Sequence, residues 1–242
     1  MRVRDRLAAA ADGPRQILHA SSTAIHFDLD GWCLGLLSSS ATRMPCALWS
    51  SLPDLGHLTG GPVQISCGLL HVAGEEVRIT RLAETRVPPL ALRPDDSAAR
   101  AAQVQRFPTL RNISGVELPR DGRLTTDHAE RLLGRGPGLT PLGDDVLAGW
   151  FATRHAAGRP DANLAAAVRR RLGVTTLLSA TLLDCALHGE ALPQLSSWLA
   201  DPTPIATEAL VAIGATSGTG LLTGAELALA SLGHDNHPGR AA

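Results

Sequence analysis

A chain of 242 residues with 44% apolar content can bury a sizeable core as one large domain or two small ones, which excludes a disordered chain. A net charge of −1 argues against a general nucleic-acid binder, which carries a basic excess, and no run of about 18 uncharged apolar residues is present to span a membrane. All 22 basic residues are arginine, so lysine Schiff-base and P-loop lysine chemistry are excluded.

Aromatic residues make up only 3% and tyrosine is absent, so the core rests on Leu, Val, Ile and Ala. Cys33, Cys46, Cys67 and Cys185 form no C-x-x-C pair and have no zinc-ligand spacing with histidine. They read as free thiols of a reducing, cytoplasmic compartment. The basic start, Met1 to Arg6, is followed by Leu7 to Ala11, a stretch too short and weakly apolar for a secretory signal.

In chain order, the first third reads as strands. Ile25, Phe27 and Leu29 alternate with His26, Asp28 and Asp30. Val63, Ile65 and Cys67 alternate with Gln64 and Ser66, and Val77 and Ile79 with Arg78 and Thr80. Ala73-Gly74-Glu75 predicts a short hairpin turn between the last two runs. An antiparallel sheet or small barrel fits residues 15–90. The stretch from Val87-Pro88-Pro89 to Pro94-Asp95-Asp96 reads as a boundary, since paired prolines continue neither a helix nor a sheet ladder. The predicted class is therefore α+β. It comprises a β-rich N-terminal domain over residues 1–92 and an all-helical domain over residues 97–235.

Within the second part, Asp127 to Glu130 looks like a capping box opening a short helix that ends at Gly134. Thr140-Pro141 reads as an N-cap and N1 proline of a helix to about Gly158. Asp161 opens a helix ending at Gly173, with Arg169, Arg170 and Arg171 in its last turn where cations suit the helix dipole. Thr175 or Thr176 opens a helix to about Gly189, and Pro193 to Ala200 is a short one. Thr203-Pro204 starts another, ending at Gly214, and a last helix covers about Leu221 to Leu232.

One segment concentrates unusual residues. Gly134 to Asp145 packs four glycines, two prolines and two carboxylates into twelve positions, where an ordinary interhelix turn needs one glycine. Successive N–H groups of such a loop form an anion-binding concavity, and the following helix start points more N–H groups at the same place. The ligand-binding candidates are Gly136, Gly138, Leu139, Thr140 and Gly143. Asp144 and Asp145 are the catalytic candidates. Each carboxylate has three functional readings: a Mg²⁺ ligand, an acceptor for a substrate amide, or a general base. Each also has a plain one, a favourable charge in the first turn of a helix. Consecutive helical residues diverge by about 100°, so one should face a ligand while the other holds the loop backbone.

A second loop, Gly214 to Gly220, offers Thr216, Ser217 and Gly218 as further ligand contacts closing over the same site. The two loops share an order of helix, Gly/Thr-rich loop and helix, which fits an internal duplication or simply two helix hairpins. Thr176 and Ser179 form a polar stripe on an otherwise apolar helix, where hydroxyls usually bond local carbonyls. The nine histidines are dispersed and form no metal or catalytic motif. No G-x-S-x-G, Walker or dinucleotide fingerprint is present.

GRGPGLTPLGDDVLAG, Gly134 to Gly149, resembles the signature of the AllH family, a subunit of oxamate carbamoyltransferase. Ile213 to Gly218 is similar to that family's second Gly-Thr-Ser-Gly motif. The N-terminal strands and the helix of Thr176 and Ser179 also fit its layout, so the resemblance spans nearly the whole chain. Leu142 stands where the family commonly has Ser, and Ala215 where it often has His. The resemblance implies carbamoyl transfer between carbamoyl phosphate and a small amide such as oxamate, within purine and allantoin catabolism. The partners it implies are the other subunits of such a complex. No resident cofactor is implied, Mg²⁺ being the one open alternative. A non-catalytic subunit that binds a small anionic metabolite is the competing reading. No nucleic-acid or membrane partner is expected.

Overall fold

The computed structural model describes residues 2–90 and 110–235, and it divides into two compact units, residues 1–84 and 85–242. The architecture is α+β, with strands in the first unit and mainly helices in the second.

The first unit opens with helix α1 (Arg2–Ala9), followed by strands β1 (Gly13–Arg15), β2 (Ile17–Ala20), β3 (Ala24–Asp28), β4 (Cys33–Leu37), β5 (Ala47–Trp49), β6 (Val63–Ser66), β7 (Leu69–Val72) and β8 (Glu75–Val77). They form two four-stranded sheets, ordered β2-β3-β4-β5 and β1-β6-β7-β8. Every pairing is antiparallel except β4 with β5. β4 is buried at all five positions, which is why its apolar run shows no alternation. His26 is buried beside Ile25 and Phe27, so β3 is covered on both faces and the expected polar face is absent. Burial and the neighbouring His19 push the His26 pKa down to about 4, leaving the ring neutral.

The hairpins share one device. Asp30-Gly31, Cys67-Gly68 and Ala73-Gly74 each place two successive residues at positive φ. That is the two-residue turn whose twist matches paired strands, and glycine in second place makes it accessible. The Ala73-Gly74 turn was expected, but it joins β8 to β7, and β7 itself was not anticipated.

The second unit contains the same turn at Ser114-Gly115, linking β9 (Asn112–Ile113) to β10 (Val116–Glu117). This hairpin corrects the expectation of an all-helical region from residue 97. The first part of that expectation, residues 97–109, and the end of the Pro-rich boundary lie outside the described residues. Helices follow: α2 (Thr126–Leu132), α3 (Leu142–Ala156), α4 (Ala162–Arg171), α5 (Leu177–Ala186), α6 (Pro193–Ala200), α7 (Pro204–Val211) and α8 (Ser217–Asp235).

The cap of α2 is Thr125, closed by the His128 side chain instead of the Asp127–Glu130 pair. Asp161, Thr176 and Thr203 cap α4, α5 and α7 by accepting backbone N–H groups. α3 is the core helix, buried continuously from Gly143 to Thr153.

α8 lies against α3 almost backbone to backbone. A Cβ on Gly224 would sit 1.9 Å from the Val146 carbonyl oxygen, and one on Gly149 2.1 Å from that of Leu221. On Gly220 it would lie 2.7 Å from Asp145 Cβ. The glycines of α8 are therefore packing devices that bring two helix starts together. Gly224→Ala is expected to destabilise the protein by about 1–3 kcal/mol in urea melts, the usual scale of overpacking. Gly173→Ala is the control, since nothing lies within 4 Å of its Cβ position, and it should stay within about 0.5–1 kcal/mol of the parent.

Candidate functional site

The Gly-rich loop runs from the end of α2 to the start of α3, with Gly134, Gly136 and Gly138 all at positive φ. Thr140 does not cap α3. Pro141 occupies that position, and its carbonyl accepts from the N–H groups of Asp144 and Asp145 at 2.9 and 3.2 Å. The Thr140 hydroxyl is instead 2.9 Å from that of Ser217, the first residue of α8. The two Gly-rich segments therefore meet. The second is a shorter loop than expected, because Ser217 to Gly220 are already helical.

The two aspartates differ sharply. Asp144 is 1% exposed and fully engaged. It accepts the Gly134 N–H at 2.7 Å, the Thr175 hydroxyl at 2.5 Å and the Ser179 hydroxyl at 2.7 Å. This carboxylate ties the loop, the start of α3 and the start of α5 into one unit. The Thr176 hydroxyl adds a bond to the Leu139 carbonyl. Thr176 and Ser179 thus act on the loop, although their hydroxyls read as locally satisfied from sequence, and so does Thr175, which the sequence offered only as a helix opener.

Asp145 is 6% exposed, bonds to Ser217, and leaves Oδ2 buried with no hydrogen-bond partner. Burial raises its pKa to about 8, and the Asp144 charge adds to the rise, while the Ser217 bond opposes it. An unpaired polar atom in this position costs about 1–3 kcal/mol. It sits beside the N-termini of α3 and α8, where aligned N–H groups create positive potential.

The remaining candidates divide by position. Gly138 has open space at its Cβ position, and Leu139 is exposed, so the loop tip faces solvent. Gly136 packs against the Leu142 backbone nitrogen, 2.9 Å from its Cβ position. Gly143 and Gly218 leave no room for a side chain, since a Cβ on either would stand 2.0 Å from a backbone oxygen, that of Leu132 or Leu210 respectively. Their role here is helix packing. Thr216 is exposed just before α8, and its carbonyl accepts from Gly220 at 2.9 Å. Arg135 turns away to the Arg131 carbonyl. Among the described residues no three His, Cys, Asp or Glu side chains group as a metal set.

Residues 132–229 match the family described as oxamate carbamoyltransferase subunit AllH. The resemblance carried by the Gly-rich signature is thereby shown, and it covers α3 to α8 and both loops instead of nearly the whole chain. Asp144, Asp145, Thr175 and Ser179 all lie within the matched residues. Residues 2–84 lie outside it. No curated protein and no solved structure matches the chain. No helix among the described residues is long and apolar enough to cross a membrane.

The buried carboxyls set a pH dependence. Glu226 on α8, like Asp145, is raised by burial to about 8, with Arg111 opposing. Between the usual carboxylate range and about 8, the folded state holds protons that the unfolded state has released, so stability falls as pH rises. The melting temperature should therefore drop between pH 5 and pH 8.5. Asp145→Asn and Glu226→Gln should each flatten that drop in calorimetric scans. A profile equally steep in both variants would show that these groups do not titrate in this window.

Proposed function

We propose that this chain is a ligand-binding subunit of a carbamoyltransferase-type complex. Its two joined helix starts hold a small anion that also carries a primary amide. The observation that supports this is the buried, unpartnered Oδ2 of Asp145 beside Thr140 and Ser217. A buried polar atom without a partner is costly, and a ligand is the natural group to satisfy it.

The chemistry follows from the surroundings. The N–H groups at the starts of α3 and α8 favour an anionic end, either carboxylate or phosphate. With a pKa near 8, Asp145 is mainly a neutral carboxyl at neutral pH. A neutral carboxyl both donates and accepts, as a primary amide does, so the two are complementary. Oxamate and carbamoyl phosphate each combine an anionic end with such an NH₂ group. The similarity to AllH adds weight to these two and implies partner subunits.

Asp144 is a positioning residue in this reading. Its two oxygens already accept from three protein donors, so they are not free to contact substrate. A neutral Asp145 is a weak base as well. Both facts favour a chain that binds and orients substrate with no resident cofactor while partner subunits supply the bond-making groups. A purely regulatory metabolite-binding subunit would use the same contacts.

Calorimetric titration of the purified chain with oxamate and with carbamoyl phosphate tests the reading. Asp145→Ala is expected to weaken binding by at least about tenfold, the scale of one hydrogen bond of about 1.4 kcal/mol, without lowering stability above pH 8. Asp144→Asn should instead lower stability by about 1–3 kcal/mol through lost acceptor capacity. Undiminished binding of both ligands by Asp145→Ala would end the proposal.

A further inference from the structure

The first unit lies outside the matched segment and carries a groove of about 620 Å³, bounded by α1, the β7–β8 hairpin and the chain beyond β8. β8 is an edge strand. Among the described residues it pairs only with β7, so one row of its N–H and C=O groups faces outward. From Arg78 to Leu82 the chain continues without joining a ladder.

The groove is apolar inside and basic at its rim. Leu69, Ile79 and Leu82 are 44%, 38% and 54% exposed there. Arg4, Arg78 and Arg81 surround them, against a single lining acid, Glu76. Glu76 is already paired with Arg78 at 2.7 Å, and Arg4 leans on the exposed Asp5 at 2.8 Å. The lining therefore keeps an excess of positive charge over an exposed apolar floor.

We infer that this groove docks an extended acidic segment of a partner protein chain, added as a strand along β8. The outward row of β8 supplies a ladder, which gives affinity largely independent of sequence. Alternate residues of an added strand point to opposite faces. Apolar side chains of the segment cover Ile79 and Leu82, which lie on the chain continuing from β8, and carboxylates at its rim reach the Arg4 and Arg81 guanidiniums. An unpaired backbone row complements another backbone, and this separates a protein strand from a lipid or nucleotide phosphate as the occupant. The inference is independent of the ligand site in the second unit.

The test is fluorescence anisotropy with the full chain and a labelled peptide of about eight residues alternating valine and glutamate, a typical strand length. A second peptide carries lysine for glutamate, and a third has proline at positions that must donate to the ladder. The acidic peptide is expected to bind, and to lose affinity by about tenfold or more in Arg4→Glu/Arg81→Glu, in Leu82→Asp and at high salt. The lysine and proline peptides should bind at least about tenfold more weakly. Asp145→Ala should bind the acidic peptide normally. All substituted groove residues are at the surface, and circular dichroism verifies that the variants fold. The inference is overturned by no binding of the acidic peptide, by equal binding of the lysine or proline peptide, or by affinity unchanged in both groove variants. Concentration-dependent dimerisation blocked by Leu82→Asp would assign the groove to a second copy of the chain and would also overturn it.

Discussion

The distance between α3 and α8 governs the second unit. Gly149, Gly220 and Gly224 let the two backbones approach until a Cβ on any of them would lie 1.9–2.7 Å from an atom of the other helix. Contacts this close exclude side chains and water, and they fix where both helices begin. Ser217 thereby reaches Thr140, and Asp145 is buried at the junction with one oxygen unanswered. The same burial that raises the Asp145 pKa makes that oxygen a strong contact for any donor that enters.

The second constraint is the Asp144 buckle. A loop with three glycines at positive φ loses much conformational entropy on ordering, and it needs a strong local tether. One carboxylate taking a backbone N–H and two hydroxyls from α5 and its lead-in provides it. The adjacent acids thus divide the work. Asp144 holds the loop against α5, and Asp145 is left facing the junction. The chemistry proposed for the site depends on this division, because a ligand oxygen or amide could not compete for Asp144.

Much of this was legible in the sequence, and what was not has physical reasons. Four glycines and two aspartates in twelve residues marked the loop, and the 100° between successive helical residues already required the acids to differ. The caps at Asp161, Thr176 and Thr203 followed from side-chain oxygens ahead of apolar runs. Thr140 misled because Thr-Pro also describes a cap. Its hydroxyl is drawn instead to Ser217, a partner far along the chain that no local pattern reveals. Thr175 and Ser179 were hidden for the same reason. Gly143 and Gly218 looked like loop glycines, but their missing side chains serve helix packing. β4 and β7 were missed because strands covered on both faces, or only four residues long, show little alternation. The Ser114-Gly115 turn carried the only local sign of the β9–β10 hairpin.

The central claim is that the free oxygen of Asp145 is the contact a ligand completes. A crystal structure of the protein with oxamate tests it most directly. The account predicts the amide nitrogen or carbonyl oxygen of oxamate about 2.7–3.2 Å from Asp145 Oδ2, with the carboxylate toward the N–H groups at the starts of α3 and α8. Oxamate bound elsewhere, with that oxygen still unpartnered, would contradict it.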